Sequence, residues 1–420
     1  MHVHNLLNQM LSYKSHVLKN SRYVKALHTM YIDIEPRKNG LLKCSHCGTV
    51  APQYDTLYPP REFDFIPYCG MRMVFLYAMR RVECPICGHV YVEEVPWASG
   101  KSPITNELKA VLSEEARSND TKAVAERYSA TWEEVDNSVK EAVEYGLQVR
   151  DLDDVTQIGV DEIAWQKGHK YITLVYQLNN SHRRLLWVGE ERTKDTMNAF
   201  FDDMEAMCKG FASRLEVVCT DMWKPFTDVI AARSPGAINI LDRFHIVKMA
   251  NEAVDDVRNA EYKERKKNGQ EVPERTKYCF LKNPENLTAR QALKLKELQK
   301  LNLRTGNAYL LKEQLRLMWD KCQSSQSAGD FLGAWIKAAF RSKLDPLKKV
   351  ARTLRRKMTL ILNYFTVKSP PSSGIVEGMN RKINLSIRKS YGFRCIETAK
   401  SYLLHQFGGL TSLPFTHKFC

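Results

Sequence analysis

The hydrophobic pattern changes period along the chain. Residues 1–40 carry little periodicity, and RMVFLYAMRRVEC further on reads as a strand. Over 104–148, apolar positions recur at helical spacing in three stretches: ITNELKAVLSEEARS, TKAVAERYS and TWEEVDNSVKEAVEYGL. Thr131 and Glu134 form a capping-box pair at the start of the third. Near residue 150 the pattern becomes β-rich. VTQIGVDEIAW and KYITLVYQL predict strands, and RRLLWVGE predicts another after a turn at Asn179-Asn180-Ser181. TKDTMNAFFDDMEAMCKGF then predicts a helix, LEVVCTDM a strand, WKPFTDVIAARS a helix and AINILDRFH a strand. From about Ile246 to Val367 the pattern is nearly all helical.

Three consecutive strands followed by helix, strand, helix and strand describe a mixed α/β sheet with flanking helices. That order is also the order of a ribonuclease-H-like core. The short helix, tight turn and capped helix before it suggest a helix-turn-helix, whose last helix would enter the major groove of DNA. That helix carries Glu133, Glu134, Asp136, Glu141 and Glu144 against Lys140 alone. Its acidity argues against direct readout, because phosphates repel it, and leaves a small helical linker domain as the other reading.

One more amphipathic helix is predicted in SSGIVEGMNRKINLSIRKSYGFR, residues 372–394. Pro370 and Pro371 stop what precedes it, and Ser372 or Ser373 offers a cap. Ile375, Met379, Ile383 and Ile387 recur every four residues, with Glu377, Arg381, Asn384 and Arg388 along another face. Past Glu377 every charge as far as Arg394 is positive. A single carboxylate thus heads a basic helix, beside Gly378, a residue helices disfavour.

Charge sharpens this picture. The 420 residues carry a formal net charge of +15, which implies an acidic partner, with nucleic acid the first candidate. Arg341 to Met358 contains eight Lys or Arg and one Asp, and its Lys348, Lys349, Arg352, Arg355 and Arg356 read as a phosphate-binding surface. No apolar run reaches the ~18 residues of a membrane span, and the N-terminus has no signal-peptide core, so a cytoplasmic, nucleoid-associated protein is expected. Eleven cysteines in a long chain then read as thiols or metal ligands.

Four of those cysteines fall in two Cys-x-x-Cys-Gly units, Cys44 and Cys47 in CSHCG, then Cys84 and Cys87 in CPICG. Together they supply four thiolates to one tetrahedral zinc. Each following glycine lets the backbone turn so that amides approach the sulfurs. The intervening residues 48–83 exceed usual zinc-ribbon spacing, which predicts a hairpin excursion. Cys69 lies between the units without a partner and reads as structural.

The acids carry the chemistry. Asp161 ends TQIGVD and Asp221 ends EVVCTD, each at the close of a short apolar strand, while Glu377 opens the basic helix. In an open α/β sheet, functional side chains gather at strand ends. Three acceptor-only groups from separate elements suit two hard divalent cations, Mg²⁺ foremost. Two such ions activate the attacking oxygen and stabilise the leaving oxygen of a phosphodiester. Gly378 would admit another backbone or the substrate, and the basic stripe would lie on phosphates. Glu162 is excluded, because neighbouring side chains alternate across a strand. Asp242 and His245 are accessory candidates, with His245 orienting a phosphate or water or else supporting the core. Trp165, Trp187 and Trp223 read as core.

GVDEIAWQKGHKY, VVCTDMWKPF, LDRFHIVK and SSGIVEGMNRKINLSIRKSYGFR resemble, in order, the blocks of the bacterial ISL-three family of insertion-sequence transposases. The resemblance implies an N-terminal zinc finger, a helix-turn-helix and a DDE catalytic domain. It implies Asp161, Asp221 and Glu377 as the catalytic triad, Mg²⁺ or Mn²⁺ as cofactor, and cleavage plus strand transfer at terminal inverted repeats. It assigns Cys44, Cys47, Cys84 and Cys87 to zinc and matches Asn380 to the family's asparagine after the glutamate. The chain departs from the family at Asn384 and Ile387, where members often have lysine.

The expected organisation is a zinc-finger domain at 1–98, a helix-turn-helix domain at 99–150, a ribonuclease-H-like core from 151–245 and 368–408, and a basic helical insertion at 246–367. Expected DNA contacts are Asn380, Arg381, Lys382, Arg388, Lys389 and Arg394, with the five basic residues of 348–356. Partners would be double-stranded DNA, as terminal repeats and target, and at least one further copy of the chain, since two element ends must be joined. No covalent enzyme intermediate is needed, so no nucleophilic Ser or Tyr is required. Two rival readings share many features: a zinc-finger DNA-binding regulator without chemistry, and a nuclease of the same fold that only cuts. A folded but inactive copy is a third.

Overall fold

The computed structural model describes residues 2–414 apart from 167, 169, 180–182, 302, 372, 391 and 394, and not the side chain of Ser373. The expected cap at Ser372 and the expected DNA contact Arg394 therefore lie outside the described residues, as do two residues of the turn at 179–181. The chain forms two compact units, Met1–Arg150 with Phe393–Cys420, and Asp151–Gly392.

The first unit opens with helix α1 (Val3–Leu11) and strands β1 (His16–Val24) and β2 (Thr29–Pro36). Strands β3 (Gln53–Thr56), β4 (Arg61–Tyr68), β5 (Met71–Tyr77), β6 (Arg80–Glu83) and β7 (Val90–Val92) follow. They make a four-stranded sheet, β1-β2-β5-β4, and a three-stranded sheet, β3-β6-β7. The weak pattern of residues 1–40 thus hides a helix and two strands. A register shift between Leu18 and Ser21 interrupts the alternation of β1, which is why no period shows there. The strand expected over RMVFLYAMRRVEC splits into β5 and β6, which belong to different sheets.

Three helices follow as expected, α2 (Asn106–Glu115), α3 (Thr121–Tyr128) and α4 (Trp132–Gln148). Thr131 and Glu134 close the capping box, with Glu134 N donating to Thr131 Oγ1 at 3.2 Å and Thr131 N to Glu134 Oε2 at 2.7 Å. Leu108, Leu112, Val124, Val135 and Val139 form their common core with Tyr402 and Leu410. Those last two come from the C-terminal segment, whose helix α16 (Ile396–Phe407) packs on α4. At Gly146 an added Cβ would meet Leu410 Cβ at 2.7 Å, so a glycine lets the tail lie flat on α4. The segment Phe393–Cys420 groups with this first unit, whereas the core was expected to run to 408.

The second unit is built on strands β8 (Gln157–Gln166), β9 (Lys170–Gln177), β10 (Leu185–Glu190), β11 (Val217–Thr220) and β12 (Ile238–Leu241), in the order β10-β9-β8-β11-β12. β8 and β10 run antiparallel to β9, and β8, β11 and β12 run parallel. Helices α5 (Lys194–Met207), α6 (Phe211–Arg214) and α7 (Lys224–Arg233) make the connections. Phe200, Phe201, Met204, Phe211 and Phe226 bury one face of the sheet with Ile158, Val160 and Val218. This is a mixed α/β fold.

β12 leads into α8 (Arg243–Lys267), and a helical region follows from α9 (Lys277–Leu281) and α10 (Ala289–Lys300) through α11 (Arg304–Lys321), α12 (Ser325–Arg341), α13 (Asp345–Arg356) and α14 (Met358–Leu362). No break falls at 245/246, where the insertion was expected to begin, because that boundary lies inside the continuous helix α8. Leu241 of β12 joins the helical core of Ile246, Val254, Leu315, Leu332 and Leu347. Helix α15 (Ser373–Lys389) then returns to pack on β8. At Gly159 an added Cβ would meet Leu178 Cδ1 at 2.9 Å and Val376 Cγ2 at 3.0 Å, so the glycine admits α15 against the sheet.

Candidate active site and metal centre

Register places the acids. Along the parallel strands Gly159 pairs with Cys219 and Cys219 with Ile240. Two residues further on, the same row carries Asp161, Asp221 and Asp242. β11 and β12 stop just before their aspartates, whereas β8 continues to Gln166. Asp161 is therefore mid-strand rather than at a strand end, but it stands where its parallel neighbour finishes.

The Asp161 carboxylate is held from two sides. Glu162 N donates to its Oδ1 at 2.9 Å. Asn380 Nδ2 donates to its Oδ2 at 2.5 Å, and the buried Tyr176 hydroxyl donates to Asn380 Oδ1 at 2.5 Å. Asn380, expected to touch DNA, thus ties α15 to the first acid. Burial raises the Asp161 carboxyl above its ordinary value, against the lowering influence of His245 and its hydrogen-bond donors.

Glu162 belongs to the cluster, contrary to the expectation from strand alternation. Alternation separates two faces where a sheet continues on both sides. Here β11 has ended, so the long Glu162 side chain reaches the same end of the sheet as Asp221. Burial first, and then the Asp221 charge, push Glu162 up to about 8. Arg192 bridges the pair, with Nε 2.9 Å from Glu162 Oε1 and Nη2 2.9 Å from Asp221 Oδ2. Its guanidinium lies 4.4 Å from the centroid of the Trp223 ring. Trp223, expected in the core, is 39% exposed. Trp165 is buried, and Trp187 is partly buried with its Nε1 donating to Asp203 at 2.8 Å.

Asp242 caps α8, accepting from Phe244 N at 2.8 Å, and its Oδ2 lies 3.4 Å from His245 Nδ1. Burial lowers the His245 imidazolium's pKa, but Asp242 and then the facing Asp161 and Asp221 raise it overall. Both accessory candidates therefore stand in the acid cluster.

Glu377 stands apart. It is half-exposed on α15, one turn before Asn380, and accepts from Arg381 Nη2 at 2.5 Å. Neither Asp161, Asp221 and Glu377 nor any three of Asp161, Glu162, Asp221 and Asp242 bring their ligating atoms within 4.8 Å of one another. Among the described residues, the set of three or more ligating side chains whose atoms all lie within 4.8 Å of one another is Cys44, Cys47, Cys84 and Cys87. Gly378 admits no close approach within the protein, since an added Cβ would meet nothing within 4 Å.

The carboxylate cluster fits a divalent cation by its charge. Asp161, Glu162, Asp221 and Asp242 face Arg192 and His245, so hard oxygen donors outnumber the cations near them among the described residues. The cysteine cluster fits zinc by its donors. Its two loops match: Gly48 N and Gly88 N each donate to the carbonyl of Cys44 or Cys84 at 2.9 Å, with φ of 70° and 68° at the glycines. His46 N and Cys87 N each approach a sulfur at 3.4 Å. Hydrogen bonds from Thr49 bring the Cys47 thiol down to about 6, favouring the thiolate that zinc requires.

The basic candidates are on the surface. On α13, Leu347, Val350, Ala351 and Leu354 are buried while Lys349, Arg352, Arg355 and Arg356 are exposed, with Lys348 half-buried beside Asp345 at 3.0 Å. On α15, Arg381, Lys382, Arg388 and Lys389 are exposed. The inner face of α15 is Val376, Ile383, Ser386 and Ile387, all buried. Ile387 is thus a packing residue, and Ile375 and Met379 sit at the margin. No helix among the described residues is long and apolar enough to cross a membrane. Sequence reasoning excluded Glu162 and missed Arg192 and Tyr176. Only Glu162 carried a signal, as an acid adjoining Asp161.

Comparison with known proteins agrees with this arrangement of motifs. The family of ISL3-type DDE transposases, described as Transposase, matches residues 158–402. The chain is 28% identical over 369 residues to the transposase for insertion sequence element IS1001 of Bordetella parapertussis, covering 87% of this chain and 88% of the relative. It is 30% identical over 387 residues to the transposase for insertion sequence element IS1557 of Mycobacterium tuberculosis, covering 86% and 84%. Among solved structures, the Drosophila P element transposase strand transfer complex aligns with a TM-score of 0.39 and 11% identity, over 71% of this chain and 92% of that one. The chain belongs to the ISL-three family of DDE insertion-sequence transposases.

Proposed function

We propose that the chain binds the terminal inverted repeats of an insertion sequence, cleaves the DNA there and transfers the freed strand to target DNA. One observation carries the reading: in a chain of this family, Asp161 and Asp221 occupy the same row of adjacent parallel strands. The sheet order β10-β9-β8-β11-β12 supports a ribonuclease-H-like core, with the helical region inserted between Asp221 and Glu377. Asp161, Asp221 and Glu377 would hold two Mg²⁺ or Mn²⁺ ions. Such ions, when bound, lower the barrier at both the attacking and the leaving oxygen.

The chain's own residues do the rest. Asn380 and Tyr176 fix the Asp161 carboxylate. Glu377 exchanges its Arg381 partner for the site. Arg381, Lys382, Arg388 and Lys389 on α15, and the exposed face of α13, bind backbone phosphates. Hydrolysis frees a 3′-hydroxyl. That hydroxyl then attacks a target phosphodiester, forming one P–O bond as the bond to the target strand's own 3′-oxygen breaks; its proton passes to water, and the departing oxygen takes one up from water. His245 orients the reacting phosphate or water. The four cysteines hold one structural zinc, and α2–α4 act as a helix-turn-helix that positions the terminal repeats. Two copies or more join the two ends, in the cytoplasm at the nucleoid.

The test is cleavage of DNA carrying the inverted repeats by wild type, Asp161→Asn, Asp221→Asn and Glu377→Gln. Wild type should nick at the repeat end with Mg²⁺. Each substitution should lower the rate by roughly 10²- to 10³-fold, the order seen when transition-state charge stabilisation is removed, while binding survives. Nicking without strand transfer would mean a nuclease, and binding without nicking a regulator or an inactive copy.

A further inference from the structure

We propose that Arg192 is a resident counter-cation of the acid cluster, bound to Asp221 until a divalent cation displaces it. This rests on the reading that Asp161 and Asp221 hold such a cation. Asp221 has two carboxylate oxygens. Oδ1 already accepts from Trp223 N at 2.8 Å, and Oδ2 accepts from Arg192 Nη2 at 2.9 Å. A metal ion at Asp221 and the guanidinium are two cations on one carboxylate, so each weakens the other's hold.

The other half of the bridge is loosely made. Arg192 Nε and Glu162 Oε1 are 2.9 Å apart, yet neither has an aligned hydrogen bond. That contact carries no hydrogen bond to hold the guanidinium in place, and a divalent ion carries twice its charge. Arg192 also has somewhere to go. Its side chain is 34% exposed, against 7% for Glu162 and 12% for Asp221. The backbone behind it is anchored, since Thr193 caps α5 by accepting from Thr196 N at 3.1 Å. The side chain pivots from a fixed point, and leaving Asp221 means leaving the face of Trp223. A purely structural arginine predicts the opposite sign: its loss would disorder Asp221 and weaken metal binding.

The experiment uses the full-length, zinc-loaded protein without DNA. Mn²⁺ binding is titrated for wild type, Arg192→Gln, Arg192→Lys and Asp221→Asn. Arg192→Gln should bind roughly tenfold more tightly, the gain expected if a tenth of wild type is competent. Arg192→Lys, which keeps the charge but not the fork, should fall between and stands in if Arg192→Gln does not fold. Mg²⁺ should shift the tryptophan emission of wild type, and the shift should vanish in Trp223→Phe and in Arg192→Gln. Unchanged or weaker binding by Arg192→Gln, or no emission change in wild type, overturns the proposal. If Asp221→Asn binds Mn²⁺ as wild type does, the metal reading itself fails, which is a separate result.

Discussion

The cysteine cluster and the carboxylate cluster are assembled in opposite ways. Four sulfurs already lie within 4.8 Å of one another, each pair set by one tight loop with its own glycine and backbone hydrogen bonds. The acids come from β8, the ends of β11 and β12, and α15, no three of them within that distance, and Glu377 is paired with Arg381. Local loops pre-form a set of sulfurs that could hold an ion. A site built from distant elements keeps its charges occupied by side chains such as Arg192 until ion and substrate arrive.

The largest effect should come from breaking the pre-formed site. Cys44→Ser or Cys84→Ser, both at buried sulfurs, should abolish zinc content and forfeit on the order of 10 kcal/mol of metal-binding free energy. Zinc quantification and thermal unfolding check this, and the carboxylate region of the other unit should keep its fold.

Acid should also act on the first unit. Burial lowers His16 to about 4, below its ordinary 6.5, against the pull of Glu93. A depressed folded-state pKa means the stabilisation is complete above pH 6.5 and is lost as pH falls toward about 4. The change should be on the order of 3 kcal/mol. Denaturant midpoints across that window should fall for wild type and flatten in a His16→Gln variant.

A smaller effect sharpens the account of how α15 serves the acids. Asn380→Ala should lower the turnover rate about 10- to 100-fold, as loss of a partner behind a ligand does, with KM for DNA nearly unchanged. Asn380→Gln should recover part of the rate. A rise in KM alone would make Asn380 a DNA contact instead. The smallest effect is expected on α13. Arg355→Ala should change stability by less than about 0.5 kcal/mol yet reduce the salt dependence of DNA binding by about one ion, measured by titration at several salt concentrations.

Legibility in the sequence follows the same division. The cysteine site could be read because its chemistry is local: two short units with glycine in place. Asp221 could be read because it follows an apolar strand that stops just before it, a local pattern, whereas Asp161 lies within β8 and stands level with that end only through strand register. Glu162 could not, because alternation misleads where a neighbouring strand ends. Arg192 could not, because a lone arginine between a strand and a helix has no pattern. The two strands of residues 16–36 are obscured by a bulge, and nothing local in the sequence reveals that the C-terminal helix packs on α4.

The most direct measurement is a crystal structure of the Mn²⁺-soaked protein bound to a terminal-repeat duplex, with anomalous scattering to locate the ions. The account predicts manganese between Asp161 and Asp221, Glu377 released from Arg381 to join them, and Arg192 withdrawn from Asp221. Manganese bound without Glu377, or absent from the aspartates altogether, would contradict it.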